Sequence, residues 1–357
     1  MSTMDRQQVL EVMKELPDPL SGRNVVQMDQ VSDVVCDDKS IKLTLSLTSH
    51  SALLADETKQ AAIELLRCKF PSVSDVEVTM GIQQRPVSPL GQIGLMARSV
   101  IAVGSGKGGV GKSTVAASLA YGLMNAGSKV GIVDADVYGP SIPHLLGVSG
   151  RPEIRDNKIQ PADADGLLVM SMGLLVEPGE AVVWRGPMLH GAITQMLRDT
   201  NWGQLDYLVI DMPPGTGDIA LSLSQILPLT GAVVVCTPQD VALLDAVKAI
   251  SMFRKVQIPL LGMVENMSGF LCPDCGKQHD IFGSGGAKAR AEQLDVPFLG
   301  QVPINMQIRE RGDAGQMSSL VKDSAAAEII RKLCYQLVRN LADANAAQPP
   351  LPSLSVL

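Results

Sequence analysis

Short runs of consecutive apolar residues recur through the middle and later parts of the chain, over 100–103, 130–133, 167–170, 207–210, 232–235, 261–264 and 298–300. Runs this short and this continuous suit strands buried on both faces of a mostly parallel sheet, with helices as the crossovers. The spacing predicts one such helix over 114–125 and a last one over 324–341. Before residue 80 the pattern differs. A helix is expected over 7–16, ended by Pro17-Asp18-Pro19, then strands over 25–35 and 41–48. The second of these alternates as Ile41, Leu43, Leu45, Leu47, the period of a half-buried strand. Leu54, Ala61, Leu65 and Cys68 give a helical spacing over 52–70, and 73–80 reads as a further strand. The expected organisation is a small α/β module over 1–85 and a Pro- and Gly-punctuated linker over 86–98. A larger α/β unit over 99–345 and a tail over 346–357 follow. No internal repeat is visible.

Composition narrows the classes. A chain of 357 residues, 46% hydrophobic and 19% charged, is long enough for two globular domains at roughly 100–200 residues each. Aromatic residues make up only 3% and the net charge is −7, which disfavours base-stacking platforms and phosphate-backbone contact surfaces. No nucleic-acid partner is expected. The first residues lack an apolar signal-peptide core, and no uncharged apolar run reaches the ~20 residues of a membrane span. Six cysteines are too sparse for a disulfide framework, so a reducing cytoplasm is the expected compartment and no membrane partner is expected.

The chemistry begins with Gly106-Lys107-Gly108-Gly109-Val110-Gly111-Lys112-Ser113, which fits G-x-x-x-x-G-K-[ST] between an expected strand and an expected helix. In that context backbone N–H groups and the helix N-terminus cradle phosphates, Lys112 neutralises the outer phosphates and the Ser113 hydroxyl ligates Mg²⁺. The fold class this defines is an α/β P-loop NTPase with a mostly parallel sheet flanked by helices, and ATP is the expected nucleotide. The apolar run at 207–210 ends in Asp211, the carboxylate type that holds the magnesium ion in such sites. The Gly- and Pro-punctuated loop after it, 212–218, is a candidate sensor of the terminal phosphate. Asp134 and Asp136 close the run at 130–133, putting further carboxylates at the same sheet edge. Lys107 is an extra cation that does not easily reach the phosphate of its own loop. It could reach a nucleotide held by a neighbouring subunit, or stand as a solvated surface lysine.

Cys272-Pro273-Asp274-Cys275-Gly276 is the second chemical feature. A single C-x-x-C is half a zinc site, a redox pair or no site at all. A closed zinc site or a cubane cluster takes about four ligands, and the chain has no second C-x-x-C. A two-fold axis near the pair would bring two pairs together. His279, four residues beyond Cys275, is the alternative third ligand of a zinc site, and the isolated Cys36, Cys68, Cys236 and Cys334 read as buried small hydrophobes.

With Lys107 and Lys112, the loop resembles the deviant Walker A motif of the MinD/ParA/nitrogenase iron-protein class. Within it, residues 99–345 resemble the Mrp/ApbC/Nbp35 iron–sulfur carrier ATPases. The matching stretches are Gly104–Thr114, Asp134–Ser141, Trp184–Met188, Asp206–Asp218, Thr237–Asp240, Glu265–Ser268 and Cys272–Cys275. Residues 1–85 resemble the MIP18-like (DUF59) module often fused upstream of such proteins. Where many of these modules carry a Cys, this chain has Thr48-Ser-His-Ser-Ala52, so the resemblance carries no thiol to that module.

The resemblance implies a slow ATPase that acts as a homodimer, takes up clusters from donors and delivers them to apo iron–sulfur proteins. It implies nucleotide contacts from Gly106 through Thr114, Lys107 reaching across the dimer, and Asp136 positioning the attacking water. Asn266 would contact the adenine, Ser113 and Asp211 would hold Mg²⁺, and Cys272 and Cys275 would hold a labile [4Fe–4S] cluster between subunits. The competing reading from the same class is a MinD/ParA-like dimerisation switch in spatial regulation. That reading calls for a membrane-binding terminal helix or a basic DNA face, and draws attention to the apolar stripe Ile329, Ile330, Leu333, Leu337 and Leu341. A reductase of the nitrogenase type holds its cluster through cysteines far apart in sequence, which the spacing here opposes.

Overall fold

Alternation of apolar and polar side chains shapes the first of two compact units in the computed structural model. The described residues are 4–137, 139–175, 186–215, 223, 226, 228–272, 274–322 and 325–347. Tyr138, Trp184, Arg185, Thr216, Gly217, Asp218 and Pro273 of the motifs above lie outside them. So do the expected helix start at Ser324 and the tail from residue 348. Residues 4–85 and 338–347 group into one unit and 86–337 into the other.

In the first unit, helix α1 (Arg6–Met13) starts at a capping box: the Asp5 carboxylate accepts from Gln8 N and the Gln8 side chain accepts from Asp5 N. Strands β1 (Val31–Cys36), β2 (Ser40–Leu47) and β3 (Asp75–Ile82) form a sheet in the order β1-β2-β3, with α2 (Ala55–Lys69) connecting β2 to its parallel neighbour β3. Ile41, Leu43, Leu45 and Leu47 are buried in one core with Val9, Met13, Ala62 and Leu66, which is what their alternation predicts. The helix expected over 7–16 ends at Met13 and the strand expected over 73–80 runs from Asp75 to Ile82, and two further elements differ at their starts. The strand expected over 25–35 begins only at Val31. Asn24 accepts from Gln27 N and starts a turn there, and Asp29 adopts a left-handed φ of 50°. The helix expected over 52–70 opens as a 3-10 turn, Ser49–Leu54, before α2.

The second unit is built on a nine-stranded sheet among the described residues. Its strands are β4 (Ala97–Gly104), β5 (Val130–Asp134), β8 (Ala162–Ala164), β9 (Leu167–Ser171), β10 (Leu205–Asp211), β11 (Gly231–Cys236), β12 (Leu260–Leu271), β13 (Gln278–His279) and β14 (Phe298–Ile304). A small hairpin, β6 (Ile154–Arg155) and β7 (Lys158–Ile159), stands apart from it. The order is β13-β12-β11-β4-β10-β5-β9-β8, with β14 also on β12. All pairs are parallel except those of β13 and β8. The helices are α3 (Lys112–Asn125), α4 (Ile142–Leu146), α5 (Gly186–Asp199), α6 (Asp240–Lys255), α7 (Gly286–Gln293) and α8 (Met306–Asp313), and α9 (Ala325–Ala346) belongs to this unit as far as Leu337. Every residue of β5, β10 and β11 is buried, the signature of strands covered on both faces.

Strand β4 begins at Ala97, inside the segment read as linker, and α3 begins at Lys112 rather than 114. The apolar stripe near the end of the chain belongs to a packed helix. Ile330, Leu333, Leu337 and Leu341 of α9 are at most 2% exposed. No helix among the described residues is long and apolar enough to cross a membrane.

Register fixes what meets at the carboxyl edge of the sheet. Asp211 of β10 stands opposite Val103 of β4 on one side and Asp134 of β5 on the other. The segment leading into the phosphate loop and the two strand-end carboxylates are therefore neighbours.

Candidate nucleotide site and cysteine hairpin

The loop from Ser105 to Gly111 turns between β4 and α3 because its glycines allow it. Gly109 and Gly111 have φ of 79° and 80°, left-handed values that L side chains rarely adopt. Gly106 is needed for a different reason: a Cβ there would run into the backbone of Asp245 on α6. Gly111 also acts as N-cap of α3 with no side chain to cap it, which leaves the first-turn N–H groups for a ligand. The loop bounds a cavity of about 280 Å³ lined by Lys107, Gly108, Gly109, Gly111, Lys112, Ser113 and Thr114, with Asp136 facing them across it. Val110 is buried and supplies a backbone contact described below.

Lys112 is 6% exposed, and its Nζ lies 2.6 Å from Asp211 Oδ1, 3.6 Å from Asp136 Oδ2 and 3.3 Å from Ser113 Oγ. The structure thus brings four of the expected site residues together. Burial pushes the Asp211 carboxyl up, and the Lys112 ammonium and Ser113 hydroxyl offset this only in part. Asp136 Oδ1 and Asp211 Oδ2 are buried without a hydrogen-bond partner among the described residues. Orphaned carboxylate oxygens are costly, and together with a serine hydroxyl they form the hard oxygen set that a magnesium ion takes.

Asp134 does not line this cavity. Its Oδ1 accepts from Asp136 N at 3.0 Å, and its Oδ2 accepts from Ile142 N at 3.2 Å and Ser171 Oγ at 3.1 Å. It braces the loop that carries Asp136. Burial, then the nearby Asp211 charge, pushes its carboxyl up to about 7.

Strand β12 links this cavity to the cysteines. The Asn266 Nδ2 donates to Val110 O at 2.9 Å, and a Cβ on Gly111 would collide with the same amide. Asn266 therefore touches the loop's backbone from the far side. Beyond it, Met267 and Gly269 take left-handed φ of 58° and 72°, and the pairing of β12 with β14 is irregular between Asn266 and Phe270. These irregularities hid the strand's full length, which the apolar run at 261–264 shows only in part. Phe270 and Leu271 then pair with His279 and Gln278 in a hairpin. At its tip Cys272 N donates to Lys277 O and Gly276 N to Cys272 O.

Cys272 is half-buried and Cys275 exposed, both as free thiols. Hydrogen bonds from the Cys275 and Asp274 backbone and from the Cys275 thiol hold the Cys272 thiol below its usual range, favouring the thiolate that binds metal. Among the described residues no group of three or more His, Cys, Asp and Glu side chains is placed to hold a metal ion. His279 pairs within the hairpin and does not complete a zinc set with Cys272 and Cys275. Of the remaining cysteines, Cys236 and Cys334 are buried and pushed up to about 12 by desolvation. Cys36 is partly buried, and Cys68 is exposed, contrary to its reading as a buried hydrophobe.

One buried residue of the matching stretch Glu265–Ser268 has no role in the sequence reading. Glu265 is 0% exposed and accepts four hydrogen bonds. Burial pushes its carboxyl up, but the bonds from Ser268, Ala287, Gly285 and Gln301 outweigh that and hold it below the usual range. The available signal was an acidic residue closing an apolar strand.

A glycine loop between strand and helix, a buried lysine and strand-end carboxylates define a P-loop NTPase. Comparison with known proteins narrows the class. Residues 96–338 match the family described as NUBPL iron-transfer P-loop NTPase, and residues 6–80 match one described as iron-sulfur cluster assembly protein. The iron-sulfur cluster carrier protein of Deinococcus radiodurans is 41% identical over 346 residues, covering 96% of this chain and 97% of its own length. That of Escherichia coli K12 is 46% identical over 313 residues, covering 86% and 82%. The iron-sulfur cluster transfer protein NUBPL of Mus musculus is 52% identical over 248 residues, covering 66% and 78%.

Among solved structures, a nucleotide-binding protein from Archaeoglobus fulgidus in complex with ADP aligns with a TM-score of 0.58 and 39% identity. It covers 66% of this chain and 93% of that one. The cell division ATPase MinD of Pyrococcus furiosus aligns at 0.50 with 25% identity, covering 67% and 98%, and is a structural relative. The chain belongs to the NUBPL iron-transfer P-loop NTPase family.

Proposed function

We propose that this chain is an ATP-dependent iron–sulfur cluster carrier, acting in the cytoplasm as a homodimer that holds a [4Fe–4S] cluster between two subunits. It would receive the cluster from donors and pass it to apoproteins. The observation that carries the reading is the accessible Cys272/Cys275 pair on a hairpin of β12, the strand whose Asn266 touches the phosphate loop. One pair supplies two of the about four thiolates a cubane takes, and a second copy of the same hairpin supplies the others. Relatives named as cluster carrier and transfer proteins support the cargo.

In the phosphate loop, Gly106 to Thr114 would wrap the phosphates of ATP, with Lys112 neutralising their charge. Ser113 and Asp211 would hold the magnesium ion, which supplies charge neutralisation at the phosphates when bound. Asp136, across the cavity, would orient the attacking water, and Lys107 would serve the partner's nucleotide. Hydrolysis is expected to be slow, its purpose being to change the dimer's geometry rather than to turn over substrate.

The double variant Cys272→Ala/Cys275→Ala tests the assignment. It should bind nucleotide as the parent does and take up no cluster on anaerobic reconstitution. Cluster uptake and delivery by the double variant would remove the reading. Liposome or DNA co-sedimentation with ATP separates it from a spatial-regulation switch, for which binding to either would be expected.

A further inference from the structure

Glu265 takes no part in the chemistry assigned so far, yet it is among the most thoroughly bonded side chains of the second unit. Its Oε1 accepts from Ser268 Oγ at 2.5 Å, Gly285 N at 2.8 Å and Gln301 Nε2 at 2.8 Å, and its Oε2 accepts from Ala287 N at 2.6 Å. Ser284 Oγ closes the cage, 3.1 Å from Ser268 Oγ and 3.2 Å from Gln301 Nε2. Gly285 is the N-cap of α7 and Ala287 lies in its first turn, where a negative charge is favoured.

The cage stands on the strand that touches the phosphate loop at Asn266 and runs on to the cysteine hairpin. On one side the next residue, Asn266, grips Val110 O. Helix α6 gives a second route: it packs on the loop at Gly106 and on α7 at Gly286. A Cβ on Gly286 would lie 2.8 Å from Pro238 O and 2.9 Å from Leu243 Cδ1. On the other side the Glu265–Ser268 bond spans the kink at Met267, beyond which the chain runs directly to Phe270 and Cys272. A non-glycine residue in the left-handed region is strained, because its Cβ crowds the backbone. It persists only where its surroundings over-determine it, and such positions cluster at active sites, ligand clamps and switch regions.

We propose that Glu265 is the positioning residue that sets the Cys272/Cys275 hairpin according to what the phosphate loop holds. A shift of Val110 or Gly106 on nucleotide binding reaches the cage through Asn266 and through α6. The caged carboxylate passes it to the start of the hairpin. Carboxylate geometry is specific to this task. In Glu265→Gln the amide NH₂ must face a backbone donor whichever way it turns, Gly285 N at one position or Ala287 N at the other. Rotating the Gln301 amide cannot repair either clash. The proposal rests on the carrier reading for the purpose of the coupling, not for its existence.

The test uses the full chain with its thiols free. The maleimide labelling rate of the peptide containing Cys272 and Cys275 is followed by mass spectrometry, with and without saturating ADP, using exposed Cys68 as the internal reference. In the parent protein ADP should change that rate about fivefold or more, the size of an ordinary coupling between sites. Glu265→Gln should bind ADP with the parent's affinity and show no ADP-dependent change. Ser268→Ala, which removes one donor and leaves the carboxylate in place, should fall between them and decides the matter if the Gln variant does not fold. An unchanged ADP response in Glu265→Gln, in Ser268→Ala where the Gln variant does not fold, or no response in the parent, overturns the proposal. Failure of the carrier reading shows separately, as a parent protein that takes up no iron whatever its labelling does.

Discussion

The Nζ of Lys112 lies 2.6 Å from Oδ1 of Asp211, an ion pair buried at the carboxyl edge of the sheet. The same lysine is the expected phosphate ligand and the same aspartate the expected magnesium ligand, so the pair holds both groups at the cavity. Removing one partner strands the other in a desolvated place. Lys112→Ala should abolish nucleotide binding and cost about 3–5 kcal/mol in denaturant unfolding. Asp211→Asn leaves Asp136 3.6 Å from the lysine and should cost less stability while still weakening magnesium-dependent nucleotide binding. Equal losses of stability in the two variants would contradict this account of the pair.

The loop glycines should separate into two kinds. A Cβ on Gly106 would run into the Asp245 backbone, whereas one on Gly108 meets nothing within 4 Å. Gly106→Ala is expected to lower stability by about 1–3 kcal/mol, the usual cost of overpacking. Gly108→Ala should melt with the parent protein and lose affinity for ATP alone, because the added methyl occupies space the phosphates approach. Thermal unfolding and a fluorescent-nucleotide titration on the same samples check both.

Glu265 gives the unit an acid-sensitive contribution. Its folded carboxyl titrates below its ordinary value near 4.5, so between the folded and unfolded values the unfolded chain binds the extra proton. The cage's stabilisation is therefore complete above about pH 4.5 and is lost as pH falls through the lower, folded value. Urea unfolding of the parent should show stability falling over that acidic range. Glu265→Gln should be less stable at pH 7 and should show a shallower acidic fall. Parallel pH curves for the two proteins would contradict the assignment.

These predictions rest on a site whose parts were unequally visible in the sequence. The phosphate loop could be read directly, since Gly109, Gly111, Lys112 and Ser113 do their work within one contiguous stretch. Asp211 was legible because an apolar run with an acidic end is itself the signal, and Asp136 through its place beside another such run. Asp134 could not be sorted from Asp136 by pattern: only the register of β5 against β10 and the Ser171 hydroxyl show that it faces inward to brace the loop.

Glu265 was hidden because its donors come from positions 268, 285, 287 and 301, which nothing local brings together. The first unit was readable where period-2 alternation held, along β2. It was misread at 25–30, where β-branched Val25 and Val26 suggest a strand but the Asn24 side chain closes a turn.

Lys107 lines the cavity, half-buried, with its carbonyl accepting from Ser105 Oγ. If its ammonium serves the partner's nucleotide, Lys107→Ala should leave folding and ADP binding near the parent's. It should lower ATP hydrolysis by on the order of 10²–10³, the usual cost of losing one transition-state charge donor. Sedimentation should show the ATP-dependent dimer weakened in the same variant. Full hydrolysis with the lysine gone would assign it to the surface.

Anaerobic reconstitution with iron and sulfide, followed by an iron count per dimer, tests the central claim most directly. A bridging cluster predicts about four irons per dimer with a [4Fe–4S] absorption spectrum. It also predicts none in Cys272→Ala/Cys275→Ala, which still binds ATP. Stoichiometric zinc on native isolation with no cluster uptake, or iron retained after both cysteines are removed, would contradict it.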